Sequence, residues 1–257
     1  MDGLYLIVYF TIIDILKTFI SPFFLIIIVI IYSQYNSLVN APFKATITSI
    51  IYGIFGGIIA TVLFIYLQIY IIPKDFIYIF VVAIILSLIN VRFMCFSYGG
   101  SIVALSNLIM GYPKLDSYEL MLVVSILHLI ESLLILLNGN YENTINYFHL
   151  KGKIVKGYSF NRFWPLPFVI FIGDTMIRPI TLLAILSYGD FTVSNQPKLK
   201  TIKTSIMLFV YSLLLFIITV AKINVFLPPV FAILGHEFII YYNIYRENKN
   251  PRNKQIS

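Results

Sequence analysis

The residues best suited to chemistry in this sequence are a few ionisable side chains that interrupt long apolar runs. They form three pairs spaced by three or four positions: Asp14 and Lys17, His128 and Glu131, and Asp174 and Arg178. Residues with this spacing share one face of a helix, so the members of each pair can contact one another. Because a lone charge in the middle of a bilayer costs at least ~2.5 kcal/mol, such pairs indicate neutralised positions that face other protein segments.

Two of these pairs have both a chemical and a structural interpretation. His128 and Glu131 can build a proton relay, or they can form a hydrogen-bonded pair that joins two helices. Asp174 and Arg178, next to Pro179, can hold a transported ion at a broken helix, or they can form a salt bridge that fixes a hairpin. The sequence favours the structural interpretation for both pairs.

Four other residues have side chains suited to metal or charge chemistry. His236 and Glu237 begin an H-E-x-x-H zinc-protease motif, but Ile240 stands where the second histidine is required. Cys95 is the only cysteine, which argues against a disulfide or a cysteine-based metal cluster and favours a buried apolar role. Arg92 ends an apolar run and is interpreted as an interfacial anchor. We therefore predict no catalytic residue, no metal site and no cofactor.

The elements that position these residues are predicted to be membrane helices. Hydrophobic residues make up 60% of the chain and charged residues 11%, and the mean hydropathy is +0.92, which is too apolar for a water-soluble globule. Since roughly 20 apolar residues cross a bilayer, the sequence predicts an all-α polytopic transmembrane bundle of about seven or eight segments, some broken or re-entrant. The predicted segments are 4–33, 45–72, 76–94, 96–110, 117–138, 165–188, 203–222 and 225–244.

The predicted organisation is one helical membrane domain over 1–245 and a short basic polar tail over 246–257. The loop 139–164 carries residues that predict contact with lipid headgroups or a partner protein: Lys151, Lys153, Lys156, Arg162 and Trp164. The basic loops on both sides of 165–188 can both be cytoplasmic only if this segment is a hairpin; otherwise one of them lies outside. We favour the hairpin, which also places the C-terminus in the cytoplasm.

The charge distribution indicates the partners. The net charge of +7 is concentrated in three short stretches, 151–162, 198–203 and 246–254. This pattern is typical of juxtamembrane loops beside anionic lipid, whereas a nucleic-acid-binding protein needs a basic face on a folded polar surface. We therefore predict a multi-pass plasma-membrane protein that contacts the bilayer and other membrane proteins, and no nucleic acid. A homo-oligomer remains open.

Several ordered stretches resemble the membrane domain of MinJ-type proteins of Firmicutes. They are R-F-M-C-F-S-Y-G-G at 92–100, L-H-L-I-E-S-L-L at 127–134, K-G-K-I-V-K-G-Y-S at 151–159, F-W-P-L-P at 163–167 and L-G-H-E at 234–237. The resemblance spans roughly residues 20–245. It implies a non-catalytic membrane adaptor in cell-division or cell-envelope organisation. A cytoplasmic PDZ domain typically follows in that family, and none is expected here because the remaining residues are few and polar.

Two hypotheses from other functional classes remain beside the adaptor. A small transporter or channel component would line its pathway with His128, Glu131, Asp174 and Arg178. A membrane-embedded hydrolase is the third hypothesis, and its metalloprotease form would require a zinc ion.

Overall fold

A computed structural model describes residues 9, 13, 15–69, 73–150, 152–172 and 178–249 of the chain. The first half of the described residues is helical: α1 (Pro22–Leu38), α2 (Pro42–Tyr66), α3 (Pro73–Ile89), a 3₁₀ turn (Val91–Met94), α4 (Phe96–Met110) and α5 (Ser117–Asn138). Three strands and two helices follow: β1 (Thr144–Leu150), β2 (Lys153–Ile172), β3 (Arg178–Thr192), α6 (Pro197–Ala221) and α7 (Leu227–Lys249).

The fold is mixed α/β, so the all-α prediction is wrong. An antiparallel sheet of order β1-β2-β3 replaces both the predicted interfacial loop 139–164 and the predicted membrane segment 165–188. Within the described residues, three helices are long and apolar enough to cross a membrane, α2, α5 and α6. The prediction of seven or eight membrane segments is therefore also wrong, because the other apolar helices are shorter and one apolar run forms strands.

Strand β2 passes through the interior of the molecule, which explains why its sequence resembles that of a membrane helix. Every residue from Trp164 to Ile170 is buried, so both faces of the strand contact protein. A strand buried on both faces has a continuous apolar run in its sequence, and periodicity does not separate it from a buried helix. Pro165 and Pro167 favour the extended backbone, since each would break a helix interior.

The edge of β2 that faces away from β3 is satisfied by helix side chains. The Phe163 N–H donates to the Tyr35 hydroxyl at 2.8 Å, and the Val169 N–H donates to Thr61 Oγ1 at 2.9 Å. The two alternate positions between them are prolines, which have no N–H to satisfy. This stretch of sheet edge can therefore lie among apolar helices without leaving a buried N–H unpaired.

Two glycines let α2 approach this strand closely. A Cβ atom at Gly53 would overlap the Pro165 carbonyl group, and one at Gly57 would overlap the Pro167 carbonyl group. Helix backbone and strand backbone are thus in direct contact along two successive turns of α2. At these two glycines only hydrogen atoms stand between the helix backbone and the strand backbone.

Helix α6 packs antiparallel to both α5 and α7, so α5 and α7 run parallel to each other. The Ser205 hydroxyl of α6 donates to the Ser132 carbonyl of α5 at 2.8 Å, and the Tyr211 hydroxyl of α6 donates to the Ala232 carbonyl of α7 at 2.9 Å. His128 lies near the middle of α5, ~16 Å from either end at 1.5 Å per residue. The middle turns of the three helices therefore meet at one level.

The C-terminal end of α7 is bound to the end of the sheet through Glu247. Its carboxylate accepts hydrogen bonds from the Val193 N–H and the Ser194 N–H, both at 2.9 Å, and from the Thr192 hydroxyl at 3.1 Å. Lys200 Nζ lies 3.8 Å from it. Burial by itself raises the pKa of Glu247, but these hydrogen bonds and the charge of Lys200 outweigh burial and hold the pKa below its usual range.

We expect the Glu247 contacts to make stability fall at acid pH. Because the folded-state pKa is lowered, the contribution is complete above the unfolded pKa, near 4.3, and is lost as the pH falls through the lowered value. Glu247→Gln should cost about 2 kcal/mol at pH 7 and less at low pH. Thermal unfolding in detergent across this pH range checks the prediction, with Glu142→Gln as control. An equal pH slope in Glu247→Gln and wild type would contradict it.

Candidate metal centre

Cys95, His128 and His236 meet in space although they come from different elements. Their donor atoms all lie within 4.8 Å of one another, with Cys95 Sγ 3.1 Å from His128 Nε2 and 3.5 Å from His236 Nε2. A tetrahedral zinc ion with ~2.3 Å bonds to sulfur and ~2.0 Å bonds to nitrogen separates these ligand atoms by ~3.5 Å. The two sulfur–nitrogen distances therefore match the spacing of ligands around one cation.

The local backbone explains why Cys95 is available as a ligand. Cys95 is extended and caps the N-terminus of α4, where its Sγ accepts a hydrogen bond from the Ser97 N–H at 3.4 Å. The positive end of the helix dipole would help to stabilise the Cys95 thiolate once a cation is bound. Gly100 brings this turn close to α5, because a Cβ atom at that position would lie 2.7 Å from the Val124 side chain.

Both imidazole rings are oriented by hydrogen bonds on their outer nitrogens. His128 Nδ1 lies 2.7 Å from the Val124 carbonyl oxygen, which can only accept, so Nδ1 carries the proton. The Tyr98 hydroxyl donates to Glu237 at 2.8 Å, so the His236 Nδ1, 3.2 Å from that hydroxyl, donates to it. Each Nε2 therefore offers a lone pair to the centre. Outer hydrogen bonds of this kind orient the histidines of metal sites.

The centre contains more acceptors than protons. The Tyr211 hydroxyl donates its proton to the Ala232 carbonyl, so the Ser97 hydroxyl, 2.7 Å away, donates to Tyr211 Oη. Ser97 then has no proton for His128 Nε2, 3.0 Å from its hydroxyl. The thiol of Cys95 has one proton for two imidazole lone pairs. A bound cation would satisfy the sulfur and both nitrogens together.

Glu131 places a carboxyl group beside these ligands. It follows His128 by one helical turn, its Oε2 lies 3.8 Å from His128 Nε2, and its side chain is 12% exposed. An ionised Glu131 would receive no compensating charge from this imidazole, which is neutral in the tautomer described above. No lysine or arginine of the described chain forms an ion pair with Glu131. A divalent cation at the centre would supply the missing positive charge.

The outer rim of the centre is an ion pair between Arg92 and Glu237. Their charged groups lie 3.2 Å apart, and the side chains are 43% and 35% exposed. The Arg92 guanidinium also lies 4.6 Å from the centre of the Phe93 ring. Arg92 is therefore more than a lone interfacial anchor, since its partner Glu237 also accepts the Tyr98 hydrogen bond that orients His236.

Sequence reasoning found most of these residues but not the way they combine. His128 and Glu131 do share one helix face, whereas His236 meets His128 of another helix and not a second histidine of its own. Cys95 was expected to be a buried apolar residue, and the structure makes it the meeting point of both histidines. One sequence feature does group these residues. They all lie in three of the stretches that resemble MinJ-type proteins, 92–100, 127–134 and 234–237.

Two of the residues expected at lipid headgroups are placed elsewhere. Arg162 and Trp164 are fully buried, and both donate to the Asn138 side chain, at 3.0 and 3.1 Å. They lie on alternate positions of β2 and point to the same side, toward α5. The prediction of headgroup contact is wrong for these two residues.

The other predicted residues divide between surface positions and undescribed ones. Lys153 and Lys156 are exposed on the β1–β2 hairpin, and Lys17 is exposed in the helical segment before α1. Asp14, Lys151, Asp174 and the side chain of Arg178 lie outside the described part of the chain. The structure therefore does not place the charged pair that the transporter hypothesis requires.

The comparisons with known proteins add no identification. No family model, no curated protein and no solved structure matches this chain. The resemblance of the sequence to MinJ-type proteins stays a prediction. What the centre does has to follow from its own geometry.

Proposed function

We propose that this chain is a membrane metalloprotein whose interior binds a zinc-type divalent cation through Cys95, His128 and His236. The observation that carries the proposal is the convergence of two imidazole lone pairs and one sulfur atom that share a single proton. Thiolate and imidazole donors suit zinc and cobalt, whereas calcium and magnesium prefer oxygen ligands.

Charge balance supports a divalent ion at this position. A zinc ion contributes two positive charges, and the Cys95 thiolate and the Glu131 carboxylate contribute one negative charge each. The loaded centre is therefore neutral, which suits a protein interior where an uncompensated charge is expensive. The Arg92–Glu237 pair at the rim is neutral by itself.

We further propose that the protein is a multi-pass plasma-membrane protein with its C-terminus in the cytoplasm. The start of α6 and the end of α7 lie at the same end of the helix bundle, since Lys200 donates to Asn243 at 3.1 Å. This end also carries other basic residues: Lys198, Lys203, Arg246 and Lys249. The positive-inside rule assigns such an end to the cytoplasm. The β2–β3 pair supports this, since it lets both basic loops lie on one side without a membrane crossing.

Metal loading of the purified protein tests the metal proposal. The chain is extracted in detergent, stripped with a chelator and titrated with Co²⁺. We expect one cobalt ion per chain, visible absorption of tetrahedral Co²⁺ and a near-ultraviolet band from thiolate-to-cobalt charge transfer. Absence of stoichiometric metal, or cobalt absorption without the thiolate band, would contradict the proposal. His149→Ala, which removes an exposed histidine on β1, serves as control.

The adaptor function implied by the resemblance is a second proposal. Its support is the β1–β2 hairpin at the basic end of the bundle, whose outer face exposes Ile145, Tyr147 and Ile154 by half or more. Apolar side chains in that position suit a docking surface for another envelope or division protein. A fluorescent fusion should concentrate at division sites and lose this pattern in Tyr147→Asp. A uniform membrane distribution of the wild type would contradict the adaptor function.

A further inference from the structure

We propose that the metal at Cys95, His128 and His236 keeps an open fourth position occupied by water, and that Glu131 is the base that makes this centre hydrolytic for amide or ester carbonyls. This inference rests on the proposed metal site. It goes further by assigning a reaction class and a role to a residue that is not a ligand.

The number of ligands points to an open position. Structural zinc sites are closed by four protein ligands, whereas catalytic sites use three and leave the fourth to water or substrate. The described residues place three donor atoms within 4.8 Å of one another, and the Glu131 carboxylate is not part of that set. Its Oε2 nevertheless lies 3.8 Å from one ligand atom, His128 Nε2. A water on the metal would therefore be within hydrogen-bond reach of Glu131.

The placement of Glu131 suits a base better than a ligand. It lies one turn from His128 on the same face of α5, so the helix fixes both side chains relative to the metal. It is largely shielded from solvent, and no cationic side chain of the described residues competes for its carboxylate. The Ser97 hydroxyl lies 3.0 Å from His128 Nε2 and 2.7 Å from the Tyr211 hydroxyl, so two further polar groups lie beside this ligand atom.

The chemistry that follows is an ordinary hydrolysis with no change in oxidation state. A metal held by Cys95, His128 and His236 would lower the pKa of a bound water, and Glu131 would accept one proton from that water. The resulting hydroxide would attack the carbonyl carbon, and the carbonyl π electrons would move to oxygen. When the C–N or C–O bond then breaks, Glu131 would return the proton to the leaving nitrogen or oxygen. One water and one amide or ester give one acid and one amine or alcohol.

Water can reach the centre from the side of the Arg92–Glu237 pair. The two charged side chains are 43% and 35% exposed, although they border a centre that lies level with the middle of α5. Exposed charges at that depth would be costly against lipid tails. We infer that this side of the centre faces a hydrated cleft, which supplies the water and admits the carbonyl group.

Cobalt-loaded protein allows the fourth position to be tested without a known substrate. Azide is titrated into the wild type, Glu131→Gln and the control Glu119→Gln, which lies ~18 Å away along the same helix. We expect azide to shift the cobalt absorption of all three proteins. We also expect the absorption of the wild type to change with pH as the bound water ionises, and Glu131→Gln to move that transition while Glu119→Gln leaves it in place.

Turnover is measured with zinc-loaded protein and 4-nitrophenyl acetate as an ester probe. We expect steady-state hydrolysis that needs zinc, falls ~100-fold in Glu131→Gln and is unchanged in Glu119→Gln. Failure to bind cobalt would overturn the metal site itself. Normal cobalt binding with no azide response, or with equal turnover in Glu131→Gln and wild type, would overturn only the hydrolytic inference.

Discussion

Cys95→Ala, His128→Gln and His236→Gln should each weaken zinc binding at least ~100-fold, whereas His149→Ala should leave it unchanged. The free energy of binding in such sites, roughly 10–16 kcal/mol, is shared among a few ligands, so losing one ligand removes several kcal/mol. The measurement is competition of each purified variant with a chromophoric chelator, together with metal analysis after gel filtration.

Two controls separate ligand loss from misfolding in these variants. Each variant must elute as the wild type does in detergent, and Cys95→Ala must lose the thiolate-to-cobalt band specifically. Tyr98→Phe should weaken binding by a smaller factor, ~10-fold, because it removes only the hydrogen bond that orients His236. Wild-type affinity in any two of the three ligand variants would show that these side chains do not share a metal.

Gly57→Ala should destabilise the protein by about 3 kcal/mol or more and prevent folding in a large share of the chains. The added methyl group would overlap the Pro167 carbonyl group of β2, and rigid backbone on both sides cannot move away. Gly189→Ala is the matched control, because a Cβ atom there meets nothing within 4 Å. Its effect should stay within about 0.5 kcal/mol of wild type.

The single tryptophan of the chain provides the measurement for this prediction. Trp164 is fully buried on β2, three residues before the Pro167 that Gly57 contacts, so its emission reports whether the strand is in place. Thermal unfolding followed by Trp164 fluorescence should give a much lower midpoint for Gly57→Ala and a near wild-type midpoint for Gly189→Ala. Equal midpoints for the two variants would show that helix α2 and strand β2 are not in backbone contact.

The sequence predicts helices correctly where the bounds of an apolar run coincide with the bounds of a helix. The predicted segments 96–110 and 117–138 coincide with α4 and α5. Segment 165–188 failed because burial on both faces makes a strand as uniformly apolar as a membrane helix. Because roughly 20 apolar residues are enough to cross a bilayer, this run is counted as a membrane helix, although Pro165 and Pro167 stand near its start.

At the candidate centre, too, the sequence predicts contacts between neighbouring residues and misses contacts between distant ones. Helical spacing identified His128 with Glu131, and the start of an H-E-x-x-H motif identified His236 with Glu237, because both patterns are local in the sequence. It could not identify Cys95 as their partner, since Cys95 is separated by 33 residues from His128 and by 141 from His236.

The sequence by itself determined the apolar character of the chain, the positions of several helices and the identity of every donor atom at the centre. Only the tertiary structure decided that an apolar run becomes a sheet inside the helices, and that one cysteine and two histidines share a single point. The physical reason is that composition and periodicity report only the hydrophobicity and the local conformational preference of each segment. Which segments touch is set by backbone contacts such as those at Gly53 and Gly57, and by hydrogen bonds between distant helices.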